Sequence, residues 1–185
     1  MSEIYEPAED SYLMSDFLKK EIPKLLRINR ELKLLEIGAG SGINLVSALD
    51  SGVKRKNILG CDINEEAVRH CRKLGFNCIK SDLFNKIPKQ KFSLIIFNPP
   101  YLPLDKKEPK ISRIATTGGK KGNEIIIKFL KQARNYLNTD GKIFIITSSL
   151  SPEIDFDKLS YEFKKIGKKS LFFEKISLLE LSKKD

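Results

Sequence analysis

The 185-residue sequence has few of the side chains that most often bind transition metals: one histidine, His70, and three cysteines. The spacing of Cys61, Cys71 and Cys78 matches no zinc-ligand pattern, and a single histidine does not complete one. We therefore expect no metal site within this chain. His70 is predicted to lie on a helix surface, without a catalytic role.

The sequence also lacks long apolar runs and low-complexity stretches. No run approaches the roughly 20 residues that a membrane-spanning helix needs. The first 13 residues, MSEIYEPAEDSYL, are acidic and do not have the basic-then-apolar order of a signal peptide. A chain of this length fits one domain. These features predict a single cytoplasmic domain over residues 1–185, with no membrane association and no disulfides.

Positive charge is in excess, with 34 lysines and arginines against 24 acidic residues and a formal charge of +10. This excess could reflect attraction to nucleic acid or to the ribosome. It could equally reflect a solvated, lysine-rich surface. Because the lysines are scattered along the chain, we favour the second interpretation and leave direct nucleic-acid binding open.

Hydrophobic periodicity predicts alternating strands and helices. The first helix should have Asp10 or Ser11 as its cap and should kink or break at Pro23. This alternation predicts an α/β fold with a mostly parallel sheet covered by helices, and the last segment adds an antiparallel hairpin with a very short tip. The predicted strands are 32–37, 57–61, 76–80, 92–97 and 142–147, the helices 10–28, 43–51, 64–74, 123–137 and 156–166, the polar loop 102–122, the turn 138–141, and the hairpin 169–184 with its reversal near 174–176.

The segment LLEIGAGSG places Gly38, Gly40 and Gly42 between the first strand and a helix. Glycines there let the backbone approach a ligand beside the positive end of a helix. A simple tight turn would use the same glycines, so acidic residues at neighbouring strand ends decide between the two. Asp62 follows the second strand, where an acid can bind ribose hydroxyls, and Asp82 follows the third. Together they indicate a nucleoside ligand.

The glycine spacing separates two classes of cofactor. A dinucleotide needs GxGxxG, whereas this sequence has GAGSGIN. S-adenosylmethionine has no pyrophosphate, and its sites often have an acidic residue before GxGxG, a position that Glu36 fills. We therefore predict S-adenosylmethionine as cofactor and S-adenosylhomocysteine as product. The residues predicted around it are Glu36, Gly38, Gly40, Asp62 and Asp82.

The fourth predicted strand runs directly into a rigid polar corner, Asn98-Pro99-Pro100-Tyr101. The carboxyl edge of a parallel sheet is where ligands bind, so this corner should face the methyl donor. The Asn98 side-chain oxygen and the Pro99 carbonyl could accept both N–H groups of a planar nitrogen, and Tyr101 could stack on it. The prolines would fix these acceptors in place. The corner therefore predicts methylation of an amide or of an aromatic amine.

Several acceptors fit this chemistry. An N6-adenine methyltransferase acting on DNA or RNA is one alternative, although base flipping usually needs additional surface for the strand. A protein lysine methyltransferase is another, although a lysine must first lose its proton. A scaffold without catalysis is disfavoured because the glycine loop and Asn98 are both intact.

Taken together, YEPAEDSYL at 5–13, EIGAGSG at 36–42 and FNPPY at 97–101 resemble the HemK-type N5-glutamine methyltransferases. SDLF at 81–84 and GGKKGNE at 118–124 fit as well. The resemblance covers nearly the whole chain and is to the short archaeal and eukaryotic branch, which modifies the class I release factor.

The resemblance implies a class I S-adenosylmethionine-dependent fold with a seven-stranded sheet, and the glutamine of a Gly-Gly-Gln motif as acceptor. It implies a flap at residues 5–7 over the cofactor and a substrate-side loop at 102–122. It also implies a heterodimer with a small zinc-binding activator subunit, paired with the open sheet edge near Phe76–Lys80. The residues implied around the cofactor are Ser11, Glu36, Gly38, Asp62, Asp82, Leu83 and Asn98, and those around the acceptor are Asn98, Pro99, Pro100 and Tyr101.

Overall fold

The computed structural model describes residues 4, 6–107, 109, 113 and 116–184. The predicted N-terminal arm and the 102–122 loop are therefore described in part, and Tyr5 of the predicted flap lies outside the described residues.

The described chain forms a seven-stranded sheet in the order β3-β2-β1-β4-β5-β7-β6. The first five strands along the chain are parallel, and only β7 runs antiparallel, between β5 and β6. This arrangement confirms the predicted fold class. The strands are β1 Leu34–Ile37, β2 Ile58–Asp62, β3 Asn77–Lys80, β4 Phe92–Phe97, β5 Leu137–Ser148, β6 Tyr161–Ser170 and β7 Lys175–Lys183.

Within the described residues, four α-helices and one short 3₁₀ turn accompany these strands: α1 Glu9–Ile28, α2 Ile43–Asp50, the turn Arg55–Asn57, α3 Glu65–Lys73 and α4 Glu124–Ala133. Asn64 caps α3, since its side chain accepts a hydrogen bond from the Glu66 amide at 2.9 Å. No helix in the described ranges is long and apolar enough to span a bilayer.

The predicted cap of α1 is wrong, and the helix does not break at Pro23. Its N-cap is Ala8, without a side-chain capping bond, because the Asp10 carboxylate is used in a tertiary contact instead. Pro23 lies inside the helix and does not end it. Leu18 and Ile22 are fully buried on the same helix, and this packing offsets the backbone hydrogen bond that proline removes.

The helix predicted at 156–166 is also wrong, because residues from Tyr161 onward form β6. Phe156, Leu159, Phe163 and Ile166 recur at helical spacing, which explains the error. In the structure Phe163 is 56% exposed, and β6 pairs with β7 along its whole length. Long-range strand pairing therefore overrides the local periodicity.

Two further boundaries change near α4. The helix ends at Ala133 rather than at residue 137, and Leu137 begins β5. The predicted turn at 138–141 belongs to β5, whose pairing with β4 shifts register between Phe92 and Leu94. This register shift allows one long strand to include both the predicted turn at 138–141 and the predicted strand at 142–147.

The final hairpin is confirmed, but its reversal lies at 171–174, where the Leu171 amide donates to the Glu174 carbonyl at 2.7 Å. The sequence predicts a tip too short to contact another molecule, but the tip presents Phe172 and Phe173 almost completely to solvent. It projects from the carboxyl edge of the parallel strands, since Ile176 pairs with Ser148 at the end of β5. The core below this edge is centred on the fully buried strands β1 and β2 and on the buried segments 94–97 of β4 and 143–146 of β5.

Candidate active site

The glycine loop joins the carboxyl end of β1 to α2 and requires left-handed backbone. Gly40 has φ +50° and Gly42, the N-cap of α2, has φ +77°. The Ala39 amide donates to the Cys61 carbonyl at 2.9 Å, so the loop folds against the end of β2. This contact brings the loop next to Asp62.

Asp62 holds this part of the site together. One carboxylate oxygen accepts from the Gly40 amide at 2.9 Å, and the other accepts from the Asn64 amide at 2.8 Å. Burial raises the pKa of Asp62, and these backbone bonds act in the opposite direction. Each oxygen keeps a lone pair that can accept a further donor, such as a ribose hydroxyl.

Glu36 lies on β1 beneath the loop and is 1% exposed. Its Oε1 accepts from Asn44 Nδ2 at 2.8 Å. Within the described residues its Oε2 is buried without a hydrogen-bond partner. Burial raises the pKa of Glu36 well above its usual range, and the nearby Asp62 adds to this effect. A cationic ligand group at Oε2 would therefore interact with an otherwise uncompensated carboxyl.

The segment after β3 forms the next wall. Leu83 is buried with a left-handed φ of +48°, and its carbonyl accepts from Ser81 Oγ at 2.9 Å. Asp82 differs from Glu36 and Asp62 because its side chain is 45% exposed and pairs with Lys128 at 2.8 Å. Asp82 therefore lies at the rim of the site rather than at its base.

The Asn98 side chain lies opposite the glycine loop, directly after β4. Its Nδ2 faces Ser11 Oγ at 3.5 Å. Its Oδ1 is buried and accepts no hydrogen bond within the described ranges. Because a buried carbonyl oxygen normally has a donor, this atom is positioned for a ligand N–H.

The Asp10 side chain connects the N-terminal helix to the acceptor corner. Asp10 Oδ2 accepts from the Tyr101 hydroxyl at 3.0 Å, and Asp10 Oδ1 accepts from the Ser11 amide at 2.6 Å. Asp10 is 4% exposed. Sequence reasoning assigned Asp10 a capping role and missed this contact, which joins residues 91 positions apart and has no local signal.

A glycine-rich segment packs on the other side of the corner. A Cβ added to Gly118 would lie 2.1 Å from the Gly122 carbonyl oxygen and 2.6 Å from the Pro100 carbonyl oxygen. A Cβ on Gly122 would lie 2.6 Å from the Tyr101 carbonyl oxygen, which also accepts a hydrogen bond from Ser151 Oγ. Backbone packing on both sides therefore holds the corner.

These groups surround one cavity of about 330 Å³. Every residue predicted for the site lines this cavity except Tyr101. The Tyr101 hydroxyl donates to Asp10, which does line it. The predicted residues that the cavity brings together are Ser11, Glu36, Gly38, Gly40, Asp62, Asp82, Leu83, Asn98, Pro99 and Pro100. Residues that also line it and were not predicted include Asp10, Asn44, Arg113, Thr117 and Ile125.

Comparison with known proteins assigns the family. The model of the methyltransferase small domain matches residues 13–169. The chain belongs to this methyltransferase family. A putative protein N5-glutamine methyltransferase of Methanocaldococcus jannaschii is 36% identical over 159 residues, covering 82% of this chain and 75% of the relative.

Two further similarities are to a curated relative and to a solved structure. The eRF1 methyltransferase catalytic subunit mtq2 of Schizosaccharomyces pombe is 32% identical over 167 residues, covering 78% of this chain and 72% of the relative. The solved E. cuniculi Mtq2–Trm112 complex, described as responsible for methylation of eRF1, matches with a TM-score of 0.67 at 23% identity, over 99% of both chains. The resemblance to HemK-type enzymes and the prediction of a class I, S-adenosylmethionine-dependent methyltransferase are confirmed.

Proposed function

We propose that this protein transfers a methyl group from S-adenosylmethionine to the side-chain amide nitrogen of the glutamine in the Gly-Gly-Gln motif of the class I translation release factor. The observation that carries the proposal is the buried Asn98 Oδ1, which lacks a donor within the described residues and lies in a rigid Asn-Pro-Pro-Tyr corner. The relatives named as glutamine or eRF1 methyltransferases support the acceptor.

The cavity fits the cofactor in its donors and acceptors. Glu36 Oε2 is a buried acceptor suited to the amino group of the methionine part. Asp62 is suited to the ribose hydroxyls, and Asp82 with Leu83 to the adenine side. Gly38 and Gly40 keep the loop free of side chains next to the ligand. The remaining residues proposed to contact the cofactor are Ser11 and Asn98.

The acceptor corner would position the glutamine amide. When bound, S-adenosylmethionine supplies a methyl group on a positively charged sulfur. Asn98 Oδ1 and the Pro99 carbonyl would accept the two amide N–H groups and favour positive charge on the nitrogen. The prolines fix the direction of the carbonyl, and the hydrogen bond from the Tyr101 hydroxyl to Asp10 holds the end of the corner. Positioning is thus the main contribution of this corner.

A small activator subunit would bind at the β3 edge of the sheet, near Phe76–Lys80. β3 is the terminal strand in the sheet order, and a partner strand would satisfy its open backbone groups. The Mtq2–Trm112 complex supports a small partner, and the family resemblance suggests that it binds zinc. Residues 1–185 would act as a single catalytic domain in the cytoplasm, where translation takes place.

The test is a transfer assay with methyl-labelled S-adenosylmethionine and the matching release factor, with and without the activator. Mass spectrometry should locate the label on the Gly-Gly-Gln glutamine. Asn98→Ala should reduce transfer about a hundredfold or more, because it removes a preorganised hydrogen-bond acceptor. Asn135→Ala is the matched control and should leave transfer unchanged. Asn135 is exposed and lies just before β5, at the end of the sheet away from the cavity.

Other outcomes would reassign the acceptor. A release factor whose motif reads Gly-Gly-Ala should take no label. Label on this variant, or on a lysine of the factor, would reject the glutamine. Label on RNA or DNA, with none on the factor, would keep the amino-methylation chemistry and favour the adenine alternative.

A further inference from the structure

Two adjacent phenylalanines at the β6–β7 tip lie outside the hydrophobic core of the described residues. Phe172 is 101% and Phe173 is 93% exposed, whereas exposed apolar residues are usually single and partly covered. Both lie in the reversal at 171–174. Exposing two adjacent aromatic rings is unfavourable in water, which suggests that another molecule covers them.

The tip stands on the same edge of the sheet as the acceptor corner. The Ser149 amide donates to the Lys175 carbonyl at 3.0 Å, and the Lys175 backbone amide donates to Ser149 Oγ at 2.9 Å. Two residues later, Ser151 donates to the Tyr101 carbonyl. A short segment thus ties the base of the tip to the corner, and Leu150 between them is 45% exposed.

The distance across the sheet between the acceptor corner and the hairpin tip is short enough for one bound protein to cover both. In the sheet order, two to three strand spacings separate β4 from the hairpin, or about 10–15 Å. A standard interface buries about 800 Å² per partner, equivalent to a disc of about 16 Å radius. A protein centred on the acceptor corner would therefore also cover the tip.

The surroundings of the tip indicate the chemistry of this partner. Leu104, three residues after Tyr101, and Leu150, next to Ser151, are exposed aliphatic residues, which suit an apolar protein surface better than stacked bases. Lys168 and Lys175 are exposed next to the tip, and Glu174 within the reversal is half-buried. The complementary surface would be an apolar pocket with an acidic rim.

We propose that Phe172 and Phe173 dock the release factor, inserting into an apolar pocket near its Gly-Gly-Gln motif while the glutamine enters the acceptor corner. This inference rests on the proposed function. It makes the hairpin tip a recognition element that lies outside the catalytic cavity.

The test compares Phe172→Ser/Phe173→Ser with the wild-type chain, each with the activator present. Exposed residues can be replaced without loss of the fold, and unchanged S-adenosylmethionine affinity and melting temperature would verify this. The KM for intact release factor should rise about tenfold or more, with kcat at saturating factor within about twofold. Ile28→Ser, which replaces an 87% exposed residue at the opposite edge, should change neither constant.

Three results would overturn the docking role. An unchanged KM in the double variant, with an active wild type, would reject the tip and leave the proposed function intact. A wild-type enzyme that does not label the factor would reject the acceptor and with it the partner assigned to the tip. Loss of single-stranded RNA binding in the double serine variant, with factor methylation unchanged, would assign the tip to nucleic acid.

Phe172→Leu/Phe173→Leu should retain most of the factor affinity, since an apolar pocket does not require aromatic stacking.

Discussion

The two sides of the cavity are built in different ways. On the cofactor side, Glu36, Asn44 and the glycine loop belong to one strand-turn-helix unit, and the Glu36–Asn44 hydrogen bond spans only eight residues. On the acceptor side, Tyr101 is held by Asp10 and Ser151, which are 91 and 50 positions away. The cofactor side is thus mainly local, whereas the acceptor side depends on the completed fold.

This difference separates the consequences of mutation. A change on the cofactor side should alter ligand affinity and leave the geometry of the corner intact. A change on the acceptor side should alter the rate of transfer with the cofactor still bound. Four substitutions test this separation.

Gly118→Ala should have the largest effect. Its Cβ would lie 2.1 Å from a backbone carbonyl oxygen, so the segment or the corner must move. Misplacement of about 1 Å can reduce transfer about a hundredfold. Steady-state kinetics should show this loss in kcat, while calorimetry should show nearly unchanged cofactor affinity.

Gly40→Ala is the counterpart on the cofactor side. The alanine Cβ would lie no closer than 4.0 Å to a neighbouring atom, so no clash is expected. The left-handed backbone at this position should instead lower the free energy of unfolding by about 1–2 kcal/mol, which thermal unfolding measures. Any loss of transfer should then appear in the KM for S-adenosylmethionine rather than in kcat. Equal losses of kcat in both glycine variants would contradict the separation of the two sides.

Glu36→Gln should have an intermediate effect, because it replaces a buried carboxyl with a neutral group. Cofactor affinity should fall about 10- to 100-fold, as expected for a hydrogen bond to a charged group. Equilibrium dialysis at pH 7 measures this loss. Glu162→Gln, an exposed acid on β6, should not change the affinity.

The raised pKa of Glu36 also predicts how pH acts. In the unfolded chain Glu36 loses its proton near pH 4.5, whereas in the folded, cofactor-free protein it keeps the proton to higher pH. The stability contributed by neutral Glu36 is therefore fully present below pH 4.5. It is lost as pH rises towards the folded-state pKa. Cofactor affinity should instead increase over this window, because the cationic ligand favours the ionised form. Glu36→Gln should remove both dependences and stabilise the ligand-free protein above the window.

Asp10→Asn should have the smallest effect. The Tyr101 hydroxyl would lose its hydrogen bond to a carboxylate and keep one to an amide, so kcat should fall only about fivefold. Asp16→Asn, an exposed acid on the same helix, is the control. In a double-mutant cycle, Asp10→Asn should have little further effect in a Tyr101→Phe background. Additive losses would mean that Asp10 acts by another route.

The same distinction explains what could be predicted from the sequence. The α/β class and the cofactor side follow from local patterns: alternating strands and helices, GAGSG, and acids at strand ends. The place of β3 at the edge of the sheet came from the family resemblance, because strand order is a long-range property. Asp10 could not be recognised as the Tyr101 partner, because nothing local distinguishes it from a residue of the first helical turn. β6 was mistaken for a helix because Phe156, Leu159, Phe163 and Ile166 imitate a helical face, and only pairing with β7 decides its conformation.

The direction of the final strand has a practical consequence for handling the protein. β7 starts beside the mouth of the cavity and ends at the far side of the sheet, where Lys183 Nζ donates to the carbonyl of Leu137, the first residue of β5. By contrast, α1 begins at the mouth, two residues from Ser11. A fluorescent fusion or surface tether attached after β7 should leave the mouth accessible, whereas one attached just before α1 would crowd the approaching substrate.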